Sequence, residues 1–188
     1  PNALEPVLLD PDFRKGYAHL RTYGLSFEGW LYHTHIADLS DLAKTFPDTT
    51  IILNHLGGPI GIGTYAGRRN EVFAAWKPAI AELAQYPNVV AKVGGIQMVV
   101  NGYGWHERAA PPSSDELVAA NQDWYDYIIE QFGPQRCMFE SNFPVDKLSC
   151  SYTVLWNQFK KLTKGYSANE RAAMFHDTAK RVYRLPQV

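Results

Sequence analysis

Three of the six histidines stand at the ends of short apolar runs, where a folded chain can present polar groups to a cleft. His33 and His35 follow the run 25–32 and lie two residues apart, so both side chains share a face if the strand continues through them. His55 follows 51–53 and opens His55-Leu56-Gly57-Gly58-Pro59, where a tight backbone leaves room for a ligand. Lys92 lies inside the apolar run 88–93, directly before Gly94-Gly95, and Glu140, Ser141, Asn142 and Asp146 follow the run 136–139. Imidazole nitrogens and carboxylate oxygens are the donors that a zinc-like divalent ion takes, and they are also the groups that move protons near neutral pH. Each has a plainer reading. His33 can be a polar residue closing a strand, Lys92 a member of an ion pair, and Glu140 a solvated strand end. Trp105, in the long connection 96–112, is a candidate substrate contact beside His33 and His35. His19, His106 and His176 fall on helices or in a loop and read as structural or exposed, and Cys137 and Cys150 lack a paired histidine and read as inert.

The elements that must position these residues follow from periodicity. Phe13, Tyr17, Leu20 and Tyr23 recur at helical spacing, with Gly24 as the stop. Strands are expected near 26–32, 50–54, 89–93 and 136–140. Helices follow each of them: one through Leu39, Leu42 and Phe46, and one through Phe73, Trp76, Ile80 and Leu83, which Pro78 should kink or divide. The third is capped by Ser113 and Glu116 and the fourth runs through Tyr152, Leu155 and Phe159, before a last helix capped by Ser167 and Glu170. Strict alternation of strand and helix implies a parallel α/β fold with helices packed on the sheet. The first strand runs into Tyr32-His33-Thr34-His35 rather than a glycine-rich phosphate loop, which favours the TIM-barrel (β/α)8 type over a doubly wound sheet. Such a barrel needs eight units and about 250 residues, so 188 residues with four units make a single domain, 1–188, amounting to half a barrel. The chain starts at Pro1, and the expectation is that preceding units belong to it.

Composition sets the outer bounds. Hydrophobic residues are 46% and charged residues 20%, enough for a packed core and against a disordered chain. Eighteen Lys and Arg against nineteen Asp and Glu leave a net charge of −1, and the basic doublets Arg68-Arg69 and Lys160-Lys161 are too short for a nucleic-acid or membrane surface. A cytoplasmic protein acting on a small-molecule substrate is expected, with no nucleic-acid or membrane partner. The open strand edges of a half barrel imply a homo-oligomer.

The segments 26–33, 52–59, 92–95 and 136–147 together resemble the amidohydrolase-2 family of the amidohydrolase superfamily, in family order and spacing from about Phe13 to Leu185. The resemblance implies strands five to eight of a TIM-barrel, lactonase-like hydrolase acting on a small cyclic ester or amide, with or without one divalent, zinc-like metal ion. It maps His55 onto the strand-six histidine, a metal ligand or a group that polarises the substrate carbonyl. It places Asn142 where most relatives carry the aspartate that activates water. A carboxamide cannot accept that proton, so either Glu140 or Asp146 supplies the base or this branch works differently. His35 stands where many relatives have Gln. The family's first-strand His-x-His pair has no counterpart here. The same family includes metal-dependent decarboxylases of aromatic or unsaturated acids, and a truncated, non-catalytic remnant is the reading from another class.

Overall fold

A computed structural model of the chain describes residues 7–186, and Pro1 lies outside them. Four parallel strands, β1 (Phe27–Gly29), β2 (Ile51–Leu53), β3 (Val89–Val93) and β4 (Cys137–Phe139), form one sheet in the order β1-β2-β3-β4. Register runs Glu28 to Ile52 to Val90, and Lys92 to Met138. Two short helices, α1 (Pro11–Tyr17) and α2 (His19–Thr22), precede the sheet. Helices α3 (Ile36–Thr45), α4 (Arg69–Leu83), α5 (Ser114–Phe132) and α6 (Tyr152–Leu162) follow the strands in turn, and α7 (Ala168–Ala172) and α8 (Thr178–Val182) close the chain.

The two sheet faces have different partners because side chains alternate along a strand. Ile51, Leu53, Val89, Ala91, Val93, Cys137 and Phe139 face the helix layer, where Leu39, Trp76, Ile128 and Phe159 fill the main core. Ile52, Val90 and Met138 face the other way and form a small separate cluster covered by Ala179 and Val182. That second face is the lumen side of a barrel. The covering helix runs from the start of β4, where Thr178 and Arg181 donate to Gln135 O, toward the start of β1, where Arg184 donates to Gly24 O.

Several expectations need correction. The first strand ends at Gly29, three residues short of the 26–32 run. His33 and His35 therefore lie on a single 3₁₀ turn that leads into α3, and the shared-face argument for them does not apply. The helix through Phe13 is broken at Ala18 into α1 and α2. Gly24 ends α2 in a left-handed conformation, φ 60°, with Leu25 N–H donating to Leu20 O and Gly24 N–H to Arg21 O, the Schellman pattern. Pro78 sits inside one uninterrupted helix rather than dividing it. Both capping boxes form, at Ser113 with Glu116 and at Ser167 with Glu170.

Candidate active site

The polar residues of the lumen face occupy the alternate positions beside its apolar cluster: Glu28 on β1, Asn54 two residues after Ile52, Lys92 two after Val90, and Glu140 two after Met138. They form one connected chain of bonds. Tyr183 of the α8 end donates its hydroxyl to Glu28 Oε1 at 2.7 Å, and Lys92 Nζ donates to Glu28 Oε2 at 2.7 Å. Asn54 Nδ2 reaches the same oxygen at 3.2 Å. Lys92 Nζ also lies 3.9 Å from Glu140 Oε2, and Glu140 Oε1 sits 2.6 Å from His55 Nδ1. The backbone N–H of His55 donates to that Oε1 at 3.3 Å.

His55 and Glu140 belong to strands that are not neighbours, so their side chains must meet above the end of β3. Gly94 and Gly95 are what permits this. A Cβ on Gly95 would stand 2.6 Å from His55 Nδ1, and one on Gly94 would stand 2.3 Å from Glu140 O and 2.6 Å from its Cγ. Gly95 also has φ 74°, a region that costs other residues energy. The segment carrying His55 is equally unusual, because residues 55 to 58 all have positive φ, His55 at 54° and Leu56 at 52°. Two consecutive non-glycine residues in that region store strain that the surroundings must hold. Trp76 Nε1 bonds Leu56 O at 2.7 Å, and the Cβ-free Gly57 and Gly58 lie against Ile36 and Leu31 O.

Burial and charge shape the group. The His55, Glu140 and Lys92 side chains are only 12%, 15% and 17% exposed, so their attraction acts in a poorly solvated setting. Burial alone would lower the Lys92 pKa, but its bonds to Glu28 and Tyr183 and the Glu140 charge outweigh burial and hold it above the usual value. Burial likewise works to raise Glu28, yet Lys92 and Tyr183 hold its carboxyl below the ordinary range. Behind Glu140, Asp146 is fully buried and its pKa is pushed by burial to about 7, although Asn142 Nδ2 donates to its Oδ1 at 2.7 Å. Asn142 thus turns its amide nitrogen inward, from a backbone at φ 51°.

The sequence-derived candidates divide. His55, Glu140 and Lys92 come together, with Asn142 on the loop next to Glu140. His33 is buried elsewhere: it accepts Ile60 N–H at Nδ1, meets the Tyr65 ring edge-on at 5.0 Å, and burial lowers its pKa. His35 pairs with Asp38 at 3.0 Å. Trp105 stacks on Tyr103 at 5.7 Å, has Arg108 5.4 Å from its ring, and donates to Gln97 Oε1, which makes it part of the internal order of the 96–112 connection. His19, His106 and His176 are exposed, and both cysteines are buried thiols. The structure adds Glu28, Tyr183 and Trp30, whose half-exposed indole lies 6.1 Å from the His55 ring. Glu28 could have been found, because a carboxylate inside an apolar strand on the parity of Lys92 implies a charged partner across the sheet. Tyr183 gives no such local signal.

The described residues contain no group of three or more His, Cys, Asp and Glu able to hold a metal ion. With Nδ1 on Glu140, His55 offers one ring nitrogen. These residues therefore do not fit a complete metal centre by themselves. No helix among the described residues is long and apolar enough to cross a membrane.

A parallel four-stranded β/α sheet with its polar group at the strand C-termini is a partial TIM barrel. The sequence profile of the amidohydrolase family matches residues 3–185, and the chain belongs to that family. It is 39% identical over 175 residues to the protein y4mH of Sinorhizobium fredii, covering 93% of this chain and 52% of that one. It is 30% identical over 179 residues to an L-fucono-1,5-lactonase of Burkholderia multivorans, covering 95% of this chain and 57% of that one. The crystal structure of a Burkholderia multivorans amidohydrolase with bound HEPES superposes with a TM-score of 0.84 at 27% identity, over 99% of this chain and 62% of that one. A second crystal form of a Burkholderia multivorans amidohydrolase contains bound Zn and gives a TM-score of 0.83. The chain thus spans about half the length of the curated relatives it matches.

Proposed function

We propose that this chain forms the His55 side of a hydrolase active site that opens a small cyclic ester. The observation behind this reading is the His55–Glu140 pair, set over Gly94-Gly95 with Lys92 beside it. Glu140 on Nδ1 fixes the ring tautomer with its proton there and leaves the Nε2 lone pair to take a proton from water. The hydroxide formed attacks the lactone carbonyl, the ring C–O bond breaks, and the imidazolium returns the proton to the leaving oxygen, giving a hydroxy acid. The Lys92 ammonium supplies positive charge near the developing oxyanion, and the Trp30 indole offers a flat apolar face beside His55. This assigns His55 as the base, whereas the family resemblance made it a metal ligand or the group that polarises the carbonyl; Glu140, whose Oε1 takes both the ring and the backbone N–H of His55, orients rather than deprotonates. Asn142 borders the cleft, and His33, His35 and Trp105 hold the loops around it. The lactonase name of the Burkholderia relative supports the substrate class.

The test is acid release from a panel of sugar 1,4- and 1,5-lactones by the purified protein, with His55→Gln and Glu140→Gln variants. Turnover that falls at least a hundredfold in His55→Gln is expected. A protein that opens no lactone, or a His55→Gln variant that turns over like wild type, overturns the reading. Release of CO2 from aromatic acids by the same protein would replace it with the decarboxylase alternative.

A further inference from the structure

At the opposite end of the sheet from His55 lies a cavity of about 370 Å³ bounded by the segments that enter the strands, with Thr50 before β2, Asn88 before β3 and Arg136 before β4. Arg181 and Arg184, from the end of α8, complete its wall, and no Asp or Glu among the described residues lines it. The three guanidinium groups bond only to backbone carbonyls. Arg136 donates to Phe132 O, Tyr86 O, Val89 O and Ala84 O, Arg181 to Gln135 O and Arg184 to Gly24 O. Among the described residues none of the three pairs with a carboxylate, as Arg69 and Arg171 also do not, but only here do three such guanidinium groups line one cavity. Burial lowers the Arg136 pKa, and its four carbonyl bonds fix the guanidinium in the cavity wall.

Arg184 supplies a second, independent observation. It ends α8 at φ 53° in the same Schellman arrangement that Gly24 makes at the end of α2, with Leu185 N–H donating to Lys180 O and Arg184 N–H to Arg181 O. Glycine is the residue that this position favours, and an arginine there costs backbone energy. Its guanidinium, aimed into an acid-free cavity, is a return on that strain.

We propose that this cavity is an oxyanion site that takes a phosphate group. Guanidinium forks match tetrahedral oxyanions with paired N–H donors; Arg181 and Arg184 each spend only one N–H on a carbonyl and keep donors free, while Arg136, with four carbonyl bonds, adds positive charge. The consequence reaches the other end of the sheet. The residue before Arg184 is Tyr183, whose hydroxyl holds Glu28, which holds Lys92. An anion that fastens Arg181 and Arg184 also fastens the end of α8 across the lumen face and keeps that line of bonds in place.

The site is tested by binding, without reference to turnover. Isothermal titration of the purified chain with inorganic phosphate, at ionic strength matched with NaCl, should show saturable one-to-one binding. Arg184→Gly should bind at least tenfold more weakly while melting no lower than wild type without phosphate, because glycine relieves the backbone. Glucose 6-phosphate binding more tightly than phosphate identifies a phosphorylated metabolite as the occupant, and equal or weaker binding identifies free phosphate. No saturable phosphate binding, acetate binding equal to phosphate, or an Arg184→Gly variant that binds like wild type overturns the proposal.

Discussion

Gly95→Ala tests whether the meeting of His55 and Glu140 above β3 depends on a missing side chain. The new methyl would lie 2.6 Å from His55 Nδ1 and 2.9 Å from its Cβ and Cγ, distances that real carbon contacts do not show. The ring cannot yield without leaving Glu140, 2.6 Å away, and its own backbone is already held at φ 54°. Two contributions add. Placing alanine at φ 74° costs about 1–2 kcal/mol. Losing a charge-assisted bond in a poorly solvated site costs about 1.5–3 kcal/mol more. The sum, about 2.5–5 kcal/mol, corresponds to a fall in melting temperature of roughly 5–20 °C for a domain of this size. Gly16→Ala is the control, because nothing lies within 4 Å of its added Cβ and the site is helical; it should raise stability by about 0.5–1 kcal/mol. Thermal denaturation of both variants beside wild type decides the point. A Gly95→Ala protein that melts within 2 °C of wild type, with the His55 Nδ1 proton still hydrogen-bonded by NMR, would refute the crossing geometry.

Asp146→Asn should change the pH dependence of stability. A carboxyl raised in the fold to about 7 favours its protonated form, so its contribution is full below the unfolded value of 3.8 and is lost as pH rises through 7. Between pH 4.5 and 7.5 the variant should gain about 2–4 kcal/mol relative to wild type in guanidinium unfolding, and parallel pH profiles would count against it. Trp76→Phe removes the donor to Leu56 O, leaves a buried carbonyl unpaired and opens a cavity where the indole packed, and should cost about 2–4 kcal/mol. If the protein takes up zinc, chelation should remove it readily and His55→Ala should abolish uptake, because the described residues supply no closed ligand set; stoichiometric zinc that survives His55→Ala defeats this. The chain should also sediment above its 21.2 kDa monomer mass, since Leu25 and Trp30 at the β1 edge are each 49% exposed; a clean monomer at micromolar concentration contradicts it.

What the sequence disclosed and what it hid follow from the range of the forces involved. β2 and β3 were legible as runs of Ile and Val, β1 as part of an aromatic-rich run and β4 as a short apolar run between helical stripes, and the parallel order follows from the alternation. His55, Lys92 and Glu140 were legible as residues at strand ends, and Gly94-Gly95 only as the end of the third strand. The pair itself was not, because two side chains crossing over an intervening strand are joined only in three dimensions. His33 and His35 were placed by extending a two-residue alternation past Gly29, where the chain had already left the sheet. Asp38, three residues beyond His35 and bonded to it, was the local sign that a helix was beginning there. The lumen face gave the least away. Its apolar cluster has only three strand residues, and its cover comes from α8, about 130 residues beyond Ile52 in sequence. A half barrel read strand by strand leaves that face open. In the folded chain Ala179 and Val182 close it and Tyr183 ties it to Glu28, so the apolar lumen surface is shielded within one chain, and what a partner copy would meet is the β1 edge with its exposed Trp30 rather than an open lumen.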